Sequence, residues 1–148
     1  GYVVRDSRFD NTRYPNHDTR ITNMILGIGV DLVNIPRIER IIKKWGGKFK
    51  KRAFSESEIE YSEGYNRSYE HFAATFAVKE AFFKALGKGF KGNMRIHDVE
   101  VLRDENGKPY INLHGKAKRS IELLGVNSIH ISISHDVEYS VAVVILER

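Results

Sequence analysis

The chain has no cysteine among its 148 residues, so its fold is built without disulfides and suits a reducing compartment. The cytoplasm is the expected location. No apolar run approaches the roughly 18 to 20 residues that a membrane span requires. No charged-then-apolar leader with a small-residue cleavage site opens the sequence. Internal repeats and low-complexity tracts are missing too. Acidic residues are outnumbered, 19 against 24 lysines and arginines, which favours an anionic partner: a nucleic acid, a phosphorylated metabolite or an acidic protein. What is present is 41% apolar residues, enough to build the core of one domain or of two closely packed half-size repeats.

Residues 1–23 are polar and aperiodic and read as an added leader. Asp6, Asp10 and Asp18 speak against an organelle transit peptide, which would be poor in acids. The patterned domain runs over 24–148. "MILGIGVDLV" from Met24 reads as a strand with Ile28, Val30 and Leu32 on one face and Gly27, Gly29 and Asp31 on the other, the glycine face inviting close approach. Pro36 suits the first turn of a helix whose buried side is Ile38, Ile41 and Ile42, up to the Gly46-Gly47 break. "SESE" at 55–58 fits an N-cap with a glutamate three residues on. A long helix opens near Ser68 and ends at Gly87 or Gly89.

Beyond the glycine-rich link "GKGFKGN", "IHDVEVL" alternates as a strand and "PYINLH" returns as its partner across the Asn106-Gly107 turn. "GKAKRSIELLG" is a short amphipathic helix closed by Gly125. "SIHISIS" and "YSVAVVIL" form a second hairpin across His135-Asp136. This order of elements predicts an α+β fold, an antiparallel sheet packed around a long central helix.

The central helix, "FAVKEAFFKALG" at 76–87, carries charge where burial is expected. Lys79 falls inside its apolar arc, either buried or snorkelling to solvent. Glu80 and Lys84 lie along one edge, and Ala73, Ala77 and Ala81 beside it leave room for a ligand or a strand. Asp31 and Glu80 could hold Mg²⁺, which needs only one or two protein carboxylates when water and phosphate complete its oxygen shell. Lys84 could then reach a phosphate oxygen. The competing readings are an ordinary i,i+4 pair for Glu80 and Lys84 and a helix cap for Asp31.

"SISHD" at 132–136 places His135 at a strand turn, suited to phosphate or base contact; its local Ser/His/Asp trio is no hydrolase triad. His71, His97, His114 and His130 lack zinc-ligand spacing. "KKWGGKFKKR" at 43–52 surrounds Trp45 and Phe49 with basic residues. That composition fits a nucleic-acid strip, an acidic protein surface, or a solvated helix end and loop. "GKGFKG" at 87–92 lacks the order of a Walker phosphate loop.

Four motifs in this order resemble the holo-acyl-carrier-protein synthases of the 4′-phosphopantetheinyl transferase superfamily: "GIGVDLVNIPRI" at 27–38, "FAVKEAFFKALGKG" at 76–89, "NGKP" at 106–109 and "SISH" at 132–135. The resemblance implies the 4′-phosphopantetheinyl transferase fold. It also implies transfer of the 4′-phosphopantetheine arm of coenzyme A to a serine of apo-acyl carrier protein, for fatty acid biosynthesis, with release of adenosine 3′,5′-bisphosphate. It makes Asp31 and Glu80 ligands of Mg²⁺ (or Mn²⁺), Lys84 a diphosphate contact, and Gly87, Ser134 and His135 coenzyme contacts. Phosphoryl-transfer rules then make Glu80, directly or through a metal-bound water, the expected base. Arg37 and Arg40 become contacts to the acidic carrier protein, and the assembly a homotrimer with sites between subunits. Neither nucleic acid nor membrane is an expected partner. The family often has an arginine where this chain has Thr75, which implies either a lower affinity for the coenzyme or another basic residue in its place.

Overall fold

The computed structural model describes residues 23–87 and 94–148. The leader reading for residues 1–22 and the link at 88–93, with Gly89, lie outside the described residues. The elements run β1 (Ile25–Asn34), α1 (Ile35–Trp45), α2 (Gly47–Ala53), α3 (Glu56–Glu63), α4 (Ser68–Leu86), β2 (Val99–Arg103), β3 (Pro109–Leu113), α5 (Gly115–Leu124), β4 (Ser128–Asp136) and β5 (Tyr139–Glu147). β5 lies between β1 and β4 in an antiparallel three-stranded sheet, and β2 pairs with β3 in a separate two-stranded one. The α+β architecture expected from the element order is the one found.

Helix α4 lies across the inner face of the larger sheet. Phe72, Ala73, Ala77, Val78, Ala81, Phe82 and Phe83 are all at most 1% exposed, against Ala142, Val144 and Leu146 of β5. The glycine face of β1 is what lets the strand settle on the helix. A Cβ on Gly27 would stand 2.0 Å from the Ala85 carbonyl oxygen, and one on Gly29 would stand 1.8 Å from that of Ala81. Only glycine fits such backbone-on-backbone contact. Asp31 follows two residues later on the same face, which aims its carboxylate at the next part of α4.

Two local expectations are corrected. Ile96–Asp98 form a 3₁₀ turn, and the strand begins only at Val99; Asp98 accepts its bond from the Arg95 amide, a local contact that competes with strand pairing. His135 is not a turn residue: it lies within β4 in register with Ser140, Asp136 closes the strand opposite Tyr139, and the reversal falls at Val137 and Glu138.

Candidate active site

Asp31, Glu80 and Lys84 meet where β1 crosses α4. The Lys84 ammonium donates to Asp31 Oδ1 at 2.8 Å and to the Val30 carbonyl at 3.1 Å. The partner of Lys84 is thus a carboxylate 53 positions away, and the ordinary i,i+4 pairing with Glu80 is overturned. The capping reading of Asp31 falls as well. Asn34 caps α1, its Oδ1 accepting the Arg37 N–H at 2.9 Å, which leaves Asp31 free for other work.

Half-buried Glu80 has its proton affinity raised above the ordinary carboxylate range, first by burial and then by the negative charge of Asp31, with Lys84 acting in opposition. Two carboxylates therefore face one ammonium, and the group retains one excess negative charge when fully ionised. Hard oxygen donors with uncompensated negative charge suit a hard divalent cation. No group of three or more metal-binding side chains occurs among the described residues, so water and substrate oxygens would have to complete any shell.

Lys79 does not snorkel. It is fully buried, bonded to Glu58 Oε2 at 2.8 Å and to the Ala53 carbonyl at 2.8 Å, with its ammonium 5.6 Å from the centre of the Phe54 ring. Burial pushes its proton affinity down while Glu58 pushes it up, and burial prevails. Glu58 also takes the N–H groups of Ser55 and Val101, each at 2.7 Å. One buried carboxylate thus ties together the start of α3, strand β2 and the residue preceding Glu80. The capping pattern at Ser55 showed Glu58's first role, and the lysine in the apolar arc signalled that a buried partner was required.

The other anticipated residues are dispersed. Gly87 terminates α4 in the left-handed conformation, φ 72°. Ser134 and His135 are adjacent on exposed β4 and, by strand alternation, address opposite faces of the sheet. His135 shares the inner face with Asp31 but stands on the far strand, with β5 between them. Arg37 and Arg40 are exposed on α1, away from buried Ile38 and Ile42. In the basic tract Phe49 is turned inward against Phe54 and Phe76, leaving Trp45 as the exposed ring, with Lys44 5.2 Å above it. A single ring is no stacking platform for successive bases.

Residues 27–144 match the family model of the 4′-phosphopantetheinyl transferase superfamily, and the chain belongs to that superfamily. Within it the chain is similar to holo-[acyl-carrier-protein] synthases. The holo-[acyl-carrier-protein] synthase of Geobacter sulfurreducens is 45% identical over 125 residues, covering 84% of this chain and 99% of the relative. The crystal structure of the Neisseria meningitidis synthase superposes with TM-score 0.77 at 32% identity, covering 84% of this chain and all of the other. The Helicobacter pylori synthase in complex with coenzyme A superposes with TM-score 0.71 at 34% identity, covering 80% and 98%.

Proposed function

We propose that this chain transfers the 4′-phosphopantetheine group of coenzyme A to a serine hydroxyl of apo-acyl carrier protein, with adenosine 3′,5′-bisphosphate as the leaving group. The observation that carries the reading is the convergence of Asp31, Glu80 and Lys84 in a chain whose relatives are holo-acyl-carrier-protein synthases. Coenzyme A is bound by the Helicobacter pylori relative. Asp31 and Glu80 would hold Mg²⁺, or Mn²⁺, and that ion would supply charge neutralisation for the diphosphate whose bridge is broken.

The chain's own residues do the remaining work. Lys84 is half-exposed at its side chain, so its ammonium can turn from Asp31 to a diphosphate oxygen and hold the phosphorus in line with the incoming hydroxyl. Glu80 accepts the serine proton. The raised proton affinity of its carboxyl suits a base that must capture a proton near neutral pH. Arg37 and Arg40 project outward from the helix that follows β1 and would guide an acidic carrier protein toward the site.

The outer face of the larger sheet supports assembly into a homotrimer. Ile28, Val30 and Leu32 are 55%, 50% and 62% exposed on one strand, an apolar row that a second copy would cover. His135 of one subunit would then complete the site of its neighbour.

The deciding experiment is mass spectrometry of apo-acyl carrier protein after incubation with the enzyme. The carrier gains one phosphopantetheine mass only when both coenzyme A and a divalent cation are present. A carrier of unchanged mass under those conditions, or a full gain in the presence of chelator, contradicts the proposal.

A further inference from the structure

Lys79 and Glu58 are sealed from solvent, and their bonds run to three elements besides α4. The Lys79 ammonium donates to Glu58 Oε2 of α3 and to the carbonyl of Ala53 at the end of α2, each at 2.8 Å. Glu58 Oε1 accepts the Val101 N–H of β2, and its Oε2 accepts that of Ser55, each at 2.7 Å. The negative charge of Glu100 on β2 also acts on Lys79. One point on α4 is thereby fixed against α2, α3 and β2 together.

That point is the residue before Glu80. Successive helical residues stand about 100° apart around the axis, so a fixed Lys79 also fixes the direction of Glu80. The lever is sensitive: at a radius of about 5–6 Å, a roll of roughly 10° moves a side-chain tip by about 1 Å. Mg²⁺ tolerates little of that, because its octahedral oxygen shell lies at about 2.0–2.1 Å.

On the opposite side of α4 the hold is of another kind. Gly27 and Gly29 set how near β1 lies to the helix at Ala85 and Ala81. Lys84 bonds α4 to β1 through Asp31 and the Val30 carbonyl, but in the transferase reading it turns to the diphosphate and gives up that hold. The charges acting on Glu80 are those of Asp31 and Lys84. The buried pair therefore reaches Glu80 through the helix it anchors.

We infer that Glu58 and Lys79 are positioning residues for the divalent cation: their buried pair fixes the roll of α4 and so holds the Glu80 carboxylate where it can share an ion with that of Asp31. The inference rests on the transferase reading for its cation, but its test needs no turnover. Electron paramagnetic resonance of free Mn²⁺ measures binding to the wild-type chain, to Lys79→Met and to Ile121→Ala, the last a core truncation on α5 that also lowers stability. Each chain is measured at a temperature where its circular-dichroism melt shows it folded. Lys79→Met binds Mn²⁺ about tenfold more weakly than the wild type or worse, the loss usual when a residue supporting a metal ligand is removed. Ile121→Ala binds it as the wild type does. Affinity unchanged in Lys79→Met, or reduced equally in Ile121→Ala, overturns the inference. If Lys79→Met does not fold, Glu58→Asp decides, since it keeps both charges and draws the carboxylate back by one methylene. Weaker Mn²⁺ binding by that variant upholds the inference, and unchanged binding overturns it. A wild type that takes up no Mn²⁺ removes the cation site and the inference with it. Mn²⁺ affinity that depends on Lys79, in a chain that leaves carrier-protein mass unchanged, upholds the inference while removing the transferase reading.

Discussion

Glu80 shows most directly how a single environment prepares a residue for chemistry. Burial and the charge of Asp31 raise its folded-state proton affinity above the unfolded value. A carboxyl shifted this way favours folding while protonated, and that contribution is lost as pH rises through the folded pKa. At neutral pH, without a cation, ionised Glu80 therefore opposes folding. Glu80→Gln should melt above the wild type in chelator at neutral pH, with the difference shrinking toward acid, while carrier-protein transfer is lost. A Tm equal to or below that of the wild type in chelator contradicts this account. Glu80 and Lys84 were legible in sequence because helical periodicity placed them on one edge. The choice of Lys84 for Asp31 was not, since two strand glycines bring that carboxylate across α4. Sequence left capping open for Asp31; Asn34, three residues later, answers that question because its side chain sits one turn before the Arg37 amide.

Among elements, α4 is held in rotation by the Glu58 and Lys79 pair. The ammonium and carboxylate are essentially sealed from solvent, and each already bonds further backbone groups of Ala53, Ser55 and Val101. Removing one partner strands a buried charge, at a cost of ~3–5 kcal/mol. Lys79→Met should therefore lower stability by about that amount in denaturant unfolding. Adding Glu58→Leu should recover only part of the loss, because it removes the unpaired carboxylate but leaves the Ser55 and Val101 N–H groups without their acceptor. A Lys79→Met chain as stable as the wild type would show that the pair holds nothing. Sequence foresaw α3 from its capping pattern and both hairpins from alternation and Asn106-Gly107. It placed the start of β2 too early, because alternation at Ile96–Asp98 cannot reveal that Asp98 turns back on Arg95.

At the scale of the whole molecule, the larger sheet has two faces with different uses. Its inner face is closed by α4, and its outer face presents Ile28, Val30 and Leu32 to solvent. The strand alternation at 28–32 gave that division correctly, and the glycines marked the face on which α4 lies. If the outer face joins subunits, the wild type sediments as a trimer and Leu32→Asp, which places a charge in the apolar row, sediments as smaller species. A wild-type monomer at micromolar concentration contradicts the assembly. His135 stands across β5 from the Asp31 strand, near enough to His71 of α4 for its charge to act there. The most direct test of the central claim is the carrier-protein mass assay on Asp31→Ala, run beside its thermal melt. The account predicts a chain that melts cooperatively near the wild type and adds no phosphopantetheine at any Mg²⁺ concentration. An Asp31→Ala enzyme that charges the carrier protein at the wild-type rate would contradict it.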